Sequence, residues 1–407
     1  MKKKIAMFTN NFFPYIGGVP ISISRLSKGL RKIGYKVYIF APNYNNLQKE
    51  ESKYIIRINN FFQYKKEGMK IQVTNIFSKK LKKVFRKNNF DLVHIHHPFW
   101  LGKKGMELAK SHNLPVVFSY HTRLEKYTHY LPSLPLLKKY FEKNLAHNLV
   151  KSFCDDCDAI ISPSETSKNY LKKIGVNTKI CVIPTGVDLS YFNLRKLEID
   201  DLRDRFNLQN KKILLSVSRL AKEKNLIFLL KGIKYIKENS KMKFKFLLIG
   251  DGEEKSKIIK FINENKLNDV IKLIGKVENE EIAKYYLLSD IFVFSSKSET
   301  QGMVLLEAMA GKNPIVALAS SGVNDVIKNN YNGYKTEERI EIWGNKVIKL
   351  MQDENICNKL ANNAFDYAQK NSIKNMANKV EEVYSQTLNV NKKEYSEKLK
   401  EKIWWAH

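Results

Sequence analysis

Short apolar runs alternate with helix-like segments along this chain, and the alternation begins again after about residue 190. Short buried runs separated by helical repeats are typical of parallel strands covered by helices. A chain of 407 residues is also too long for one comfortable core. The pattern predicts an α/β fold of two Rossmann-like, doubly wound domains facing each other across a cleft, with strands at residues 5–9, 37–41, 92–95, 116–120, 159–163, 213–217, 244–249, 271–274, 291–294 and 314–317.

The domain boundaries follow from where this alternation pauses. We expect an N-terminal domain over residues 1–190, a C-terminal domain over 191–372 and a helical extension over 373–407. The polar stretch 188–210 is predicted to be an irregular link. In the extension, Trp404 and Trp405 end an apolar helical stripe, which would either pack against a domain or place the indole rings at a membrane interface.

Positive charge is concentrated in the first half of the chain. Residues 1–190 contain 33 Lys and Arg against 12 Asp and Glu, whereas residues 191–407 contain 38 against 29. A basic surface attracts nucleic acid or anionic lipid, although an AT-rich genome would also raise the lysine content. We expect no nucleic-acid partner, because the sequence has no recognition motif and no stacking aromatics interleaved with its cations.

Residues 76–87 form a basic amphipathic segment, with Phe77, Leu81, Val84 and Phe85 on one helical face and six cations around it. Such a helix is suited to lying on an anionic membrane, and the alternative is a core-packing helix with a solvated lysine face. Segment 131–150 has a similar pattern. The predicted membrane-binding residues are Lys79, Lys80, Lys82, Lys83, Phe85 and Arg86.

The sequence predicts neither a membrane span nor a signal peptide. No run approaches the roughly 20 apolar residues that a spanning helix needs. The apolar run before Thr9 and Asn10 is shorter than a signal peptide requires and is better interpreted as a first buried strand. We therefore expect a cytoplasmic protein.

Two loops that follow predicted strands contain residues suited to an anionic ligand. Gly17 and Gly18 lie at a strand-to-helix turn, where backbone N–H groups and the helix dipole favour a diphosphate. The G-x-G-x-x-G fingerprint of NAD enzymes is absent. Arg219 and Lys224 follow strand 213–217, at the carboxyl end where parallel sheets bind ligands, and would contact phosphate unless they only coat a solvated loop.

The segment 298–310 is the most specific in the chain. Glu299 follows strand 291–294, and Gly302 would let backbone amides line a pocket just before a helix. Glu307 lies among apolar residues of that helix, so its carboxylate needs a hydrogen-bonding partner because burying it alone is costly. Sugar hydroxyls would satisfy both carboxylates.

Other polar clusters are interpreted as structural. Cys154 and Cys157 form a single C-x-x-C without further zinc ligands nearby. His94 and His96 end a strand without a carboxylate to complete a metal site, so structural or ligand-lining roles are expected. The D-x-D pattern at 156–158 lies at the amino end of its strand, on the wrong side for the cleft. We expect no metal and no cofactor.

In this order, these segments resemble the family 4 retaining glycosyltransferases of the GT-B fold. The matching segments also include 183–188 and 250–252, and together they span residues 5 to about 320. The resemblance implies a hexosyltransferase that uses a UDP-sugar, keeps the anomeric configuration and needs no metal.

The resemblance also implies a role for each residue. Gly17 and Gly18 would face the donor diphosphate, and Arg219 and Lys224 would neutralise the leaving nucleoside diphosphate. His121 would line the sugar pocket near the reacting centre. The other donor-binding residues would be Glu299 at the transferred sugar, Thr300, Gln301, Gly302, Met303 and Val304 beside the sugar and diphosphate, and Glu307 at the ribose.

Residues 121–130 and 299–302 are more narrowly similar to bacterial 1,2-diacylglycerol 3-glucosyltransferases. This implies UDP-glucose as donor, diacylglycerol as acceptor and a peripheral enzyme on an anionic phospholipid surface at the inner face of the cell membrane. The alternatives are a family 4 enzyme with a soluble or polyprenyl-linked glycan acceptor, as in capsule or cell-wall assembly, and an inactive scaffold. The intact Arg219, Lys224 and Glu299 argue against the scaffold.

Overall fold

The computed structural model describes residues 3–15, 17–44, 52–66, 69–121, 138–278 and 281–404. The chain divides into two compact units, which we call unit 1 (Met1–Thr185 with Lys374–His407) and unit 2 (Gly186–Ile373). These divisions differ slightly from the predicted boundaries at 190/191 and 372/373. The residues from Lys374 onward belong to unit 1.

Unit 1 is a doubly wound parallel sheet with helices between many of its strands. Its elements are β1 (Lys4–Phe8), α1 (Gly18–Lys32), β2 (Lys36–Pro42), β3 (Ile55–Ile58), β4 (Asn60–Lys66), β5 (Met69–Thr74), α2 (Lys79–Asn88), β6 (Leu92–Ile95), α3 (Leu101–Ser111), β7 (Val116–Ser119), α4 (Lys138–Asp155), β8 (Ala159–Ser162), α5 (Glu165–Lys173) and β9 (Ile180–Val182). The described strands lie in the order β3-β2-β1-β6-β7-β8-β9, and β4 and β5 form a separate antiparallel hairpin.

Unit 2 repeats the same architecture. Its elements are α6 (Lys196–Arg205), β10 (Lys212–Val217), α7 (Leu226–Asn239), β11 (Phe244–Ile249), α8 (Lys255–Glu264), β12 (Ile271–Gly275), α9 (Ile282–Leu288), β13 (Ile291–Phe294), α10 (Met303–Ala310), β14 (Ile315–Leu318), α11 (Ser321–Val326), β15 (Gly333–Thr336), α12 (Ile340–Gln352) and α13 (Glu354–Lys370). The strands are parallel in the order β12-β11-β10-β13-β14-β15. The chain then continues into α14 (Ile373–Trp404). The predicted doubly wound α/β class is confirmed.

Aromatic rings form much of the core of unit 1. Phe8 of β1 stacks on Phe40 of β2 with ring centroids 4.6 Å apart, and Phe85 and Phe90 pack against this pair. Each of these rings is buried. Burial of such a side chain contributes about 1.5–3 kcal/mol to folding.

Helix α2 buries its apolar face in this core. Ser78 caps the helix by accepting a hydrogen bond from the backbone N–H of Leu81. Leu81 is fully buried and Phe85 is only 2% exposed, whereas Phe77 is 69% exposed. Phe85 therefore has to be removed from the predicted membrane-binding set, because its ring packs between Phe40 and Phe90 and does not reach the surface.

The sequence missed several elements and misjudged one segment. Strands β3, β4, β5, β9 and β15 were not predicted, because β3, β9 and β15 have only three or four residues and β4 and β5 contain several polar residues without a clear apolar repeat. The stretch 188–210 is not an irregular link: it contains α6, which packs against α9 within unit 2. The extension is helical as predicted, and the side chains of Trp404 and Trp405 lie outside the described part of the chain.

Candidate active site

Loops from four adjacent strands converge at one edge of the sheet in unit 2. The carboxyl ends of parallel strands meet at the same edge, and β11, β10, β13 and β14 are consecutive neighbours there. The loop after β10 carries Arg219 and Lys224, and the loop after β13 carries Glu299. The topology thus brings together residues that are 75 positions apart in the sequence.

Lys224 and Glu299 form an ion pair at this edge. Lys224 Nζ lies 2.5 Å from Glu299 Oε1, and the two side chains are only 17% and 14% exposed. Hydrogen bonds from serine hydroxyls fix both backbones, since Ser295 Oγ donates to the carbonyl of Lys224 and Ser321 Oγ to that of Glu299, each at 2.8 Å. The pair therefore holds a cation and a carboxylate in a fixed arrangement beside the sheet edge.

Arg219 provides a second cation that remains open to solvent. Its Nη2 lies 2.5 Å from Glu223 Oε1, yet the side chain is 51% exposed. Burial raises the pKa of the Glu223 carboxyl, but hydrogen bonds from its own backbone N–H and from Arg219 outweigh burial and leave the pKa below its usual value. Glu223 is thus an anion that orients the Arg219 guanidinium and leaves part of it accessible.

Glycines let the loops of this edge approach one another closely. Gly250 has φ +140°, and a Cβ atom there would lie 1.8 Å from the carbonyl oxygen of Ser218, in the loop that carries Arg219. A Cβ atom at Gly322 would lie 2.7 Å from Glu299 Cβ. Side chains at these positions would displace Ser218 and Glu299.

Helix α10 presents a mixed face next to the ion pair. It begins after Gly302, which has φ +71°, and Met303, Val304 and Glu307 are partly exposed while the intervening residues are buried. The hydroxyl of Tyr286 donates a hydrogen bond of 3.1 Å to Glu307 Oε2. The carboxylate in this apolar helix therefore has the partner that the sequence analysis required.

Several residues at this edge were not predicted from the sequence. The Oγ atoms of Ser218 and Ser320 are buried and have no hydrogen-bond partner among the described residues. Ser218 follows β10 and Ser320 precedes α11, both at the same sheet edge, so their hydroxyls are available to a ligand there. Tyr286 was also not predicted. The one sequence feature that pointed to it is that its hydroxyl-bearing ring lies among the apolar residues of α9. Thr300 is partly exposed and Gln301 is buried.

The glycine loop of unit 1 is held by a buried arginine. Gly17 has an extended backbone and precedes the first residue of α1, Gly18. Arg57 of β3 donates a hydrogen bond of 2.5 Å to the carbonyl oxygen of Phe13 in this loop and one of 2.9 Å to that of Pro42 at the end of β2. Because α1 begins at Gly18, both glycines lie at its N-terminus, where backbone N–H groups favour an anion.

His121 lies at the carboxyl end of β7 in unit 1. It lines a small cavity of about 20 Å³ together with Ser22, Ser119 and Thr185. Its Nε2 lies 2.9 Å from Nδ1 of His96. Burial and, to a smaller extent, the nearby His97 lower the pKa of His121 to about 3. His121 is therefore neutral at pH 7. The rest of the predicted 121–130 motif lies outside the described residues.

The residues interpreted as structural have structural partners. Asp158 Oδ2 accepts a hydrogen bond from the backbone N–H of Val116 at 2.6 Å, which joins β7 to the start of β8. Burial raises the pKa of the Cys154 thiol to about 12. Cys157 donates to the carbonyl of Phe153. No group of three or more His, Cys, Asp or Glu side chains within the described ranges is arranged to hold a metal ion.

The exposed side of α2 is strongly cationic. The cations of this face, which we call the lysine face, are all solvent-exposed: Lys79, Lys80, Lys82, Lys83, Arg86 and Lys87. The adjacent hairpin places Phe61 and Phe62 at the surface, and Phe77 precedes the helix. Within the described part of the chain, no helix is both long and apolar enough to cross a bilayer.

Comparison with known proteins identifies the family. Residues 16–191 match the family described as Glycosyltransferase Family 4, and residues 198–367 match the family described as Glycosyl transferases group 1. The α-monoglucosyldiacylglycerol synthase of Acholeplasma laidlawii is 28% identical over 372 residues, which cover 89% of this chain and 91% of the relative. The synthase of the same name from Streptococcus pneumoniae is 31% identical over 331 residues, which cover 80% and 73%.

A solved structure shows the same fold. HepE from Anabaena, in complex with UDP and glucose, matches with a TM-score of 0.71 at 16% identity, covering 94% of this chain and 100% of that one. The resemblance found in the sequence is thereby confirmed at the level of family and fold. This chain belongs to the family 4 glycosyltransferases, and its two α/β units have the GT-B fold of these enzymes.

Proposed function

We propose that this glycosyltransferase transfers glucose from UDP-glucose to the 3-hydroxyl of 1,2-diacylglycerol with retention, giving α-monoglucosyldiacylglycerol. It acts as a peripheral enzyme at the cytoplasmic face of a membrane that contains anionic phospholipid. Support for this acceptor comes from the two relatives, which are named as synthases of this product and align with 80–89% of the chain.

The cations of unit 2 fit the chemistry of the leaving group. When the bond between the sugar C1 and the diphosphate oxygen breaks, negative charge develops on the diphosphate. In this proposal Arg219 and Lys224 neutralise this charge without a metal ion, and their cationic side chains at one sheet edge support this role. The N-terminus of α1, with Gly17 and Gly18, provides a further anion site in unit 1.

Retention follows if the acceptor attacks from the face that the diphosphate leaves. The acceptor oxygen then forms its bond to C1, and its proton passes to an oxygen of the departing diphosphate. No separate base is required in this scheme. Glu299, fixed by Lys224, binds hydroxyls of the transferred sugar, and Glu307, held by Tyr286, binds the ribose.

The structural observation that most supports a lipid acceptor is the lysine face. Its cations are exposed on a helix whose apolar side is buried in the core, so they face solvent and not the protein interior. Cations near a membrane surface gain about 1 kcal/mol each from anionic lipids. Phe77, two residues before Lys79, and Phe61 and Phe62 of the hairpin are exposed, as aromatic side chains at a membrane interface are.

Hairpin pairing brings the backbone of Phe62 close to the segment that leads into α2. Phe62 pairs with Val73 across the hairpin, and the N–H of Asn75 donates to the carbonyl of Asn59 at 2.8 Å. Phe77 follows Asn75 by two residues. In this proposal the exposed rings and the lysine face contact the same anionic bilayer.

Radiolabelled transfer tests the proposal. Purified protein is incubated with labelled UDP-glucose and vesicles that contain diacylglycerol with either anionic or zwitterionic phospholipid, and the lipids are then separated. We expect an α-linked monoglucosyl lipid whose formation needs diacylglycerol, increases with anionic lipid and is unaffected by EDTA. If no lipid is labelled although UDP-glucose binds, the acceptor is a soluble or polyprenyl-linked glycan and the lipid proposal is wrong.

A further inference from the structure

Histidines cluster at the carboxyl-end edge of the sheet in unit 1. His94 is in β6, His96 follows that strand, and His121 follows the neighbouring strand β7. His96 Nδ1 lies 2.9 Å from His121 Nε2, and the two rings are nearly parallel, with centroids 5.2 Å apart. One of these nitrogens therefore carries the hydrogen and donates a hydrogen bond to the lone pair of the other.

The ring of His96 is fixed by the residues beneath it. The ring centroid of His94 lies 4.3 Å from that of His96. His94 is itself held on both nitrogens, by Tyr384 Oη at 2.5 Å and by Ser119 Oγ at 2.8 Å. Because His94, His96 and Tyr384 are all buried, His96 packs against a ring that is itself fixed on both sides.

The environment of His96 decides the direction of the hydrogen bond. Burial lowers the pKa of His94 and of His121 to about 3 and that of His96 well below its usual value, so each ring carries a single proton at pH 7. His96 Nε2 is buried and has no hydrogen-bond partner among the described residues. A buried N–H without an acceptor is rarer in proteins than an unfilled lone pair, which places the proton of His96 on Nδ1.

We propose that His96 is a positioning residue for His121: its Nδ1–H donates to His121 Nε2 and thereby holds the proton of His121 on Nδ1. The inference rests on the proposed function, in which His121 lines the sugar pocket. A neutral Nδ1–H can donate to a sugar hydroxyl or to a phosphate oxygen, whereas the other tautomer would present a lone pair. His121 Nδ1 has no partner within the described part of the protein, so this donor is available.

Imidazole nitrogen NMR reads the tautomer without reference to activity. In protein labelled with ¹⁵N-histidine, we expect His121 to be protonated at Nδ1 and not at Nε2. The variant His96→Leu should give a mixture of tautomers, and His96→Asn should restore the Nδ1 form, because the Asn amide nitrogen lies where Nδ1 of the histidine does. Protonation of His121 at Nε2 in the unaltered enzyme would overturn the proposal.

Kinetics then tests the consequence for transfer. We expect His96→Leu to lower kcat by about 10-fold or more with the KM for the nucleotide sugar nearly unchanged, as for other residues that orient an active-site imidazole. His96→Asn should recover most of kcat, and His112→Leu, which removes an exposed histidine at the end of α3, should not change it. Equal loss in the Leu and Asn variants, with equal melting temperatures, would contradict the proposal.

Failure of this inference and failure of the proposed function give different results. If the enzyme transferred no glucose to lipid, the tautomer of His121 would still be measurable by NMR. If lipid glucosylation occurred but His96→Leu left both the tautomer and kcat unchanged, only the role of His96 would be wrong.

Discussion

At the scale of single residues, the ion pair between Lys224 and Glu299 gives the site of unit 2 its electrostatic character. Each charge is largely withdrawn from solvent and is compensated by the other. In the proposed function, the ammonium contacts phosphate and the carboxylate contacts hydroxyls of the sugar. Loss of either group leaves the other charge uncompensated.

Replacement of Lys224 tests this assignment. We expect Lys224→Met to lower kcat/KM by roughly 100-fold or more, as removal of a group that stabilises transition-state charge does. The matched control is Lys222→Met, since Lys222 is exposed in the same short turn. Initial rates of transfer measure the effect, and circular dichroism checks the fold. A Lys224 variant that is as active as the Lys222 control would show that the site lies elsewhere.

The sequence predicted that Arg219, Lys224 and Glu299 lie near one sheet edge, but it did not predict the pairing of Lys224 with Glu299. Arg219, Lys224 and Glu299 were found because each follows a buried strand, and the ends of parallel strands share an edge. The Lys224–Glu299 bond joins positions 75 apart, and the Tyr384–His94 bond joins positions 290 apart. Local patterns contain no information on such contacts, so neither was predicted.

At the scale of elements, α2 shows why an amphipathic pattern has two interpretations. The same apolar stripe suits a membrane and a protein core, and only the neighbouring strands decide between them. Here Leu81 and Phe85 are in the core while the lysine face remains exposed. The apolar periodicity alone could not tell that Phe85 is buried whereas Phe77, eight residues before it, is exposed.

Charge reversal on α2 should weaken membrane binding selectively. We expect Lys82→Glu with Lys83→Glu to reduce sedimentation with anionic vesicles by about 10-fold or more, since each cation contributes about 1 kcal/mol near such a surface. The matched control is Lys172→Glu with Lys173→Glu on α5, where both lysines are also exposed. The affinity for UDP-glucose should not change in either variant. Unchanged vesicle binding in the α2 variant would exclude the lysine face as the membrane contact.

The loop between β1 and α1 depends on Arg57. Its guanidinium donates to two backbone carbonyls and lies over the rings of Phe12 and Tyr44. Lysine has the same charge as arginine but lacks the planar guanidinium with its fixed N–H donors, so it cannot make both hydrogen bonds in this geometry. We expect Arg57→Lys to lower the free energy of unfolding by about 1–3 kcal/mol.

Urea denaturation measures the effect of Arg57→Lys, and titration with UDP shows whether the glycine loop is disturbed as well. Arg31→Lys is a suitable control, because Arg31 also donates to a backbone carbonyl, that of Val37, but not in this loop. If Arg57→Lys were no less stable than the unaltered protein, the arginine fork would not be what holds the loop.

At the scale of the whole molecule, buried neutral histidines link stability to pH. Burial lowers the pKa of His94 and His121 to about 3 and that of His97 to about 4. In the unfolded chain these rings titrate near 6.5, so as pH falls the unfolded chain takes up protons first. Their stabilisation is therefore complete above pH 6.5 and is lost as pH decreases towards 4.

The expected loss is steep enough to measure. Each such histidine contributes up to about 1.4 kcal/mol per pH unit within this window. Tyr384, which contacts His94, stays neutral because burial raises its pKa well above the usual value. Asp290 in unit 2 acts in the opposite direction, because burial raises its pKa and the folded form then binds the proton more tightly.

Urea midpoints recorded at pH 7, 6 and 5 test this prediction. We expect the midpoint to fall at each step, and the variant His97→Gln, which lacks one of the rings, to show a shallower fall. Carboxylates with lowered pKa titrate below this range, so they do not contribute to the slope between pH 7 and 5. A midpoint that is constant over this range would mean that the histidine cluster opens to water and takes up protons in the folded state. It would then lack the rigid, neutral arrangement on which the role of His96 depends.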